Sequence, residues 1–83
     1  MSVTFNQTLD VKGLKCPMPL VKSRKTINTL NVGDVLQVVA TDRGSVADFQ
    51  GWAKTAKNIE LVDQETAQDG GQEVFVHYLR RTK

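Results

Sequence analysis

The amino-acid sequence predicts an α+β fold: a two-layer α/β sandwich of order β-α-β-α-β-β, with a four-stranded sheet carrying two helices on one face. Three observations lead there. Alternating or β-branched runs occur near residues 4–10, 35–41, 59–65 and 74–80, which is strand patterning. Two intervening segments space their apolar residues at helical intervals. Turn chemistry separates the runs: Lys12-Gly13, Asn31-Val32-Gly33-Asp34, Asp42-Arg43-Gly44 and Asp69-Gly70-Gly71. At 83 residues the chain reads as one domain, residues 1–83. It can build one two-layer core, with little left for a deep cofactor cleft.

In the first strand, Phe5, Leu9 and Val11 alternate with Asn6, Thr8 and Asp10, and Gln7 interrupts the apolar set. The first helix is expected from Pro17 to about Thr29. Leu20, Ile27 and Leu30 form its stripe with Val21 beside them, while Lys22, Arg24 and Lys25 fall mostly off it. Val35 to Thr41 is nearly continuous and β-branched, as a central strand requires. Ser45-Val46-Ala47-Asp48 resembles a capping box with Asp48 in place of Glu or Gln. The apolar face of the second helix is Val46, Phe49, Trp52, Ala53 and Ala56, interrupted by Gly51 and ended by Lys57-Asn58. Asp69-Gly70-Gly71 is a hairpin turn between the last two strands. The fourth strand is apolar on both faces, which leaves the side taken by His77 open. Strand-helix-strand units cross over right-handed, so both helices are expected on one face.

Composition excludes several classes. Hydrophobic residues make up 40% and charged residues 24%, which suits a folded domain rather than a disordered segment. The N-terminus has neither a basic region nor an apolar run, so it does not read as a signal peptide. No stretch approaches the ~18 apolar residues of a membrane span, and the expected location is cytoplasmic. The net charge of +2 is too small to demand nucleic acid, but it is unevenly spread. Lys12, Lys15, Lys22, Arg24 and Lys25 stand against Asp10 alone in the first thirty residues.

That excess surrounds the single cysteine, Cys16. One cysteine makes no internal disulfide and no zinc site by itself. No metal or other cofactor is therefore expected, and its chemistry is that of a lone thiol. The surrounding sequence is Gly13-Leu14-Lys15-Cys16-Pro17-Met18-Pro19. Prolines at the first and third helical positions cost no ladder bond, because the first four helical N–H groups have no intrahelical partner. A residue before proline avoids the helical region, so Cys16 is expected at the N-cap. Its sulfur would then face the free N–H of Met18, and of Leu20, in the positive field of the helix start. Lys15 and Lys22 add to that field. A thiolate is stabilised in such a place, and a persulfide anion is suited to it as well. The competing reading makes Cys16 a small buried hydrophobe.

Leu9-Asp10 followed by Gly13-Leu14-x-Cys16-Pro17-x-Pro19, together with Val38-Val39-Ala40-Thr41-Asp42, resembles the TusA/SirA-like sulfur-carrier family over essentially the whole chain. The resemblance implies a four-stranded mixed sheet in the β-α-β-α-β-β sandwich, and that Cys16 accepts sulfane sulfur as a persulfide from a cysteine desulfurase or rhodanese-type donor. It would relay that sulfur to a downstream acceptor protein, in tRNA thiolation or other sulfur trafficking. On this reading the chain is a sulfurtransferase-like relay without independent catalysis, and a monomer. Pro17, Met18, Pro19, Lys12, Lys15 and Lys22 would support Cys16. The sequence departs from the family pattern in two places. Lys12 stands where arginine is common, and Lys57-Asn58 where a Gly-His pair is common.

The alternative is a nucleic-acid-binding or thiol-based regulatory module using the basic surface of residues 12–25. The scarcity of aromatic residues there weakens it, and direct nucleic-acid binding is not expected. His77, the sole histidine, reads as a core or surface residue rather than a catalytic one. Arg43-Gly44-Ser45 before the second helix could receive an anion or simply form a turn.

Overall fold

The computed structural model describes residues 4–15 and 18–83. Six elements follow in order: β1 (Gln7–Val11), α1 (Met18–Ile27), β2 (Val35–Ala40), α2 (Ser45–Thr55), β3 (Ile59–Asp69) and β4 (Gln72–Arg81). The sheet order is β1-β2-β4-β3. β1 and β2 are parallel, with Val11 opposite Ala40. β4 runs antiparallel to both of its neighbours. The sheet is therefore mixed, as the family resemblance implies. The α2 crossover leaves a gap beside β2 that β4 fills from the hairpin.

The core lies between sheet and helices. Val11, Leu36, Val38, Ala40, Ile59 and Leu79 pack from the strands against Ile27 of α1 and Phe49 of α2. Half-buried Leu20, Leu30, Trp52, Ala53 and Ala56 surround them. In β2 the residues Leu36, Val38 and Ala40 are buried and their alternates half-buried, the period-two signature of a sheet with one helix-covered face. Burying a core side chain of this size stabilises by roughly 1.5–3 kcal/mol. A second, smaller cluster, Val74, Val76 and Tyr78 with Val35 and Val39, occupies the opposite face of the sheet. This is why β4 is buried on both sides from Val74 to Leu79.

Four local expectations are corrected. Phe5 does not extend the Leu9–Val11 face. It lies before β1, 42% exposed, with its ring 6.1 Å from Tyr78 on the face away from the helices. A bend at Asn6 breaks the alternation, and Asn6 instead exchanges two hydrogen bonds with Val35, both 2.8 Å. The first helix ends at Ile27, earlier than Thr29. β3 runs on to Asp69, beyond the expected Glu65. Its polar second half pairs with β4 all the way to the turn, and a bulge between Leu61 and Asp63 leaves Val62 exposed. Ser45 is not the N-cap of α2: Gly44 takes that position with no side-chain cap, and Ser45 is buried inside the first turn.

The β3–β4 turn needs its two glycines. Gly70 and Gly71 both have positive φ, 59° and 82°, as a tight primed turn between twisted strands requires. Among the described residues, no helix is long and apolar enough to cross a membrane.

Candidate functional site

Because β1 and β2 are parallel and end side by side at Val11 and Ala40, the loops that follow them emerge together. The first contains Lys12, Gly13, Leu14 and Lys15 and leads into Cys16. The second contains Thr41, Asp42, Arg43 and Gly44 and leads into α2. Both helices therefore start at the same end of the sheet.

The two loops are built alike. Asp10 accepts from the Lys12 N–H at 2.9 Å, and Asp42 accepts from the Gly44 N–H at 3.1 Å. Each is a short carboxylate turn over two residues. Gly13 takes φ +83°, a backbone state open to glycine at little cost. No atom crowds the place of a Cβ there, so conformation alone accounts for the glycine. Gly13 then donates its N–H to the Thr41 hydroxyl at 2.9 Å, which joins the loops. Between them lies a shallow depression lined by Gly13, Leu14, Lys15, Thr41, Asp42 and Arg43.

The helix side of the site is α1. Pro19 is buried, and the buried Ser23 hydroxyl donates to the Pro19 carbonyl at 2.7 Å. That bond satisfies a polar group that would otherwise cost about 1–3 kcal/mol in the core. Met18 is 43% exposed. Lys15, Lys22, Arg24 and Lys25 are all exposed, a basic surface running from the loop down α1.

Cys16 and Pro17 lie outside the described residues, and with them the N-cap and first-turn assignments. Their neighbours do bear on one expectation. The Met18 N–H, expected to face the sulfur, donates to the Lys15 carbonyl at 2.9 Å. Of the supporting residues, Lys12 and Lys15 come together in one loop, with Met18 and Pro19 at the helix start. Lys22 stands one turn further along the exposed face.

Lys12 is held rather than free. Its ammonium lies 2.8 Å from Asp69 and 3.9 Å from Asp10. The hydrogen bond to Asp69, then the charge of Asp10, raises its pKa above the usual lysine value. Arg43 is likewise paired, 3.0 Å from Glu73. Sequence reasoning missed Thr41, Asp69 and Glu73. Asp69 is 57 residues from Lys12, and only the sheet order brings the hairpin to this end.

His77 is settled by the structure. It lies fully buried on the helix face of β4, stacked on Phe49 with ring centroids 4.3 Å apart and planes at 11°. The Gln64 amide N–H₂ donates to Nδ1 at 3.0 Å and to the Val46 carbonyl at 3.1 Å. Nδ1 is thus an acceptor, and Nε2–H donates to the Ser45 hydroxyl at 2.9 Å. Burial lowers the His77 pKa to about 4, so the ring is neutral at physiological pH. It is a core histidine that pins the start of α2. A larger groove of about 550 Å³ lies between α1 and α2 and includes Arg24, Asn28, Trp52 and Asn58. It follows the C-terminal halves of the helices, away from the loops around Cys16.

Comparison with known proteins covers nearly the whole chain. The family model described as Sulfurtransferase TusA matches residues 7–78. A relative from Halobacterium salinarum that bears a sulfur-carrier description is 51% identical over 79 residues, covering 95% of this chain and 93% of that one. The sulfur carrier protein TusA of Allochromatium vinosum is 46% identical over 72 residues, covering 87% and 91%. Among solved structures, the SirA-like protein from Desulfitobacterium hafniense superposes with a TM-score of 0.66 at 21% identity. That match covers 89% of this chain and 96% of the other and shows a shared fold.

Proposed function

Since the chain belongs to the sulfurtransferase TusA family, a sulfur-carrier role is our premise, and we propose that Cys16 is the carrying atom's seat, holding sulfane sulfur as a persulfide. The observation that carries this reading is the loop that leads toward the one thiol: Lys12 to Lys15 are joined to the β2 loop, and a basic, open surface runs from there along α1. A small chain with a shallow depression suits a relay whose partners supply the catalysis.

The transfer is an exchange at sulfur. The Cys16 thiolate attacks the terminal sulfur of a persulfide on the donor enzyme. A new Cys16 Sγ–S bond forms, the donor's S–S bond breaks, and the donor leaves as a thiolate. The electron count is unchanged. The same reaction in reverse sense, onto an acceptor's thiolate, discharges the carrier. Like thiol–disulfide exchange, each step depends on the thiolate fraction of the attacking sulfur and on access to it. Lys15, Lys12 and Lys22 favour the anion and attract acidic partner surfaces. A cysteine desulfurase or a rhodanese-type enzyme is the donor class this chemistry calls for, and tRNA thiolation is one destination for the sulfur. The cytoplasm, where glutathione and thioredoxin keep thiols reduced, is the setting proposed.

Intact mass after incubation with a cysteine desulfurase and cysteine tests the reading. The wild type is expected to gain one sulfur atom, reversibly with a thiol reductant, and Cys16→Ser to gain none. No gain on the wild type, or an equal gain on Cys16→Ser, would overturn it.

A further inference from the structure

The groove between α1 and α2 has no part in the carrier reading, and three of its features point to a ligand. Leu20 and Arg24 of α1, and Asn28 just after it, share about 550 Å³ with Gly51 and Trp52 of α2 and with Asn58. No aspartate or glutamate lines it.

The first feature is Gly51. It lies in the middle of α2 without a positive φ, and a Cβ there would meet nothing within 4 Å. Neither conformation nor packing requires glycine, and alanine would favour the helix. The missing side chain leaves the groove open beside Trp52. The second is Trp52 itself. Its ring packs edge-to-face on Phe49, with centroids 6.0 Å apart. It is only half-buried, and its remaining surface lines the groove. The third is Arg24. Lys12, Arg43 and Arg80 are each paired with a carboxylate, whereas exposed Arg24 pairs with none among the described residues. Arg24 also borders a second depression of about 280 Å³ with Val21, Lys25 and Asn28. Cationic surface therefore continues out of the groove and over α1.

An aromatic ring, an unpaired guanidinium and side-chain amides are the groups that hold an unstacked base. They supply stacking, phosphate contact and hydrogen bonds to base edges. Residues 12–25 contain no aromatic residue, which counts against nucleic acid in the sequence, but the fold supplies one from α2. The second depression carries positive charge past a single phosphate, which suits a strand rather than a free nucleotide.

We propose that this groove binds a single-stranded nucleic acid, with one base stacked on Trp52 and the adjoining phosphates on Arg24 and Lys25. The site does not involve Cys16 and goes beyond the carrier role.

Trp52 is the single tryptophan, so its fluorescence reports on the groove directly. An oligoadenylate RNA of about eight nucleotides should quench it in ~0.1 M salt, where charges more than ~10 Å apart are largely screened. The affinities of variants are read from the anisotropy of the same RNA carrying a fluorescent label. Losing one stacked base costs roughly five- to 150-fold in affinity. Gly51→Gln, which fills the groove where its Cβ has room, and Trp52→Leu should each bind at least about fivefold more weakly. Arg24→Gln should weaken binding and lower the slope of log K against log salt by about 0.7. Arg80→Gln is the control. Arg80 follows Leu79 of the helix-side core, so it alternates onto the other face of the sheet, and its variant should match the wild type.

No quenching by the RNA would overturn the proposal. So would Gly51→Gln or Trp52→Leu binding as tightly as the wild type. A loss in Arg80→Gln equal to that in Arg24→Gln is the pattern of diffuse attraction and also overturns it. Equal quenching by an oligoglutamate of the same charge would assign the groove to acidic protein segments instead. Cys16→Ser should bind the RNA as the wild type does. A chain that binds RNA yet takes up no sulfur would therefore refute the carrier reading and leave this one standing.

Discussion

Both helices start at the same end of the sheet, and the two starts are built in opposite ways. The inward side of the α2 start is dry and neutral. Ser45 and His77 are buried, hydrogen-bonded to each other and closed over by Phe49 and Gln64. The approach to α1 is wet and charged, with exposed Lys15 and Met18 and Lys12 paired with Asp69. One fold end thus separates two tasks. Buried hydrogen bonds fix where the backbone goes. Solvated charges tie the loops to the hairpin from outside, at little consequence for stability.

Substitutions at the two starts should therefore differ in kind. The largest effect is expected from Phe49→Ala, which removes a fully buried ring from both the core and the His77 stack. A loss of about 3–5 kcal/mol in denaturant unfolding is expected. A loss under about 1 kcal/mol would mean that α2 is not anchored there.

Next is acid. The His77 pKa is lowered to about 4 in the folded chain by burial, against about 6.5 unfolded. The unfolded state therefore binds more protons between these values. The stabilisation from keeping the ring neutral is complete above about pH 6.5 and is lost as pH falls toward 4. At most about 3 kcal/mol is at stake. Protonation at Nδ1 would also set a new N–H against the Gln64 amide donor. Urea unfolding at pH 7 and pH 4.5 checks this. The wild type should lose more stability over that interval than His77→Gln, and equal losses would contradict it.

Ser45→Ala leaves the buried Nε2–H of His77 without its acceptor. It should cost about 1–3 kcal/mol, read from the same unfolding curves. The smallest effect belongs to the other helix start. Lys12→Gln should change stability by less than about 1 kcal/mol, read from the same unfolding curves. A large loss of stability from Lys12→Gln would erase the contrast between the two regions.

How far the sequence foretells this depends on how local the cause is. β2, the α2 core face and the Gly70-Gly71 turn are legible because each is dictated by neighbours in the chain. The six-element order follows from them, and the mixed sheet is what the family resemblance implies. Ser45 is misread for a physical reason. A serine three residues before an acid fits a cap, and only packing 32 residues away shows that its hydroxyl is spent on His77. β3 is read short because its far half, Thr66 to Asp69, is polar, and it is β4 on one side that makes it a strand. Phe5 is assigned to the wrong face because a bend at Asn6 leaves no trace in an alternation pattern. At the site, the loop carrying Lys12 and Lys15 is legible from Gly13 and the proline pair. The neighbouring loop and the hairpin carboxylates are not, since they arrive through strand order.

The most direct test of the central claim is cyanolysis of the loaded protein after its donor has been removed. A persulfide on Cys16 should yield one thiocyanate per chain from the wild type, restore the mass of the unloaded chain, and yield none from Cys16→Ser. Sulfur uptake without thiocyanate release, or release that persists in Cys16→Ser, would contradict the claim that this thiol is where the sulfur rides.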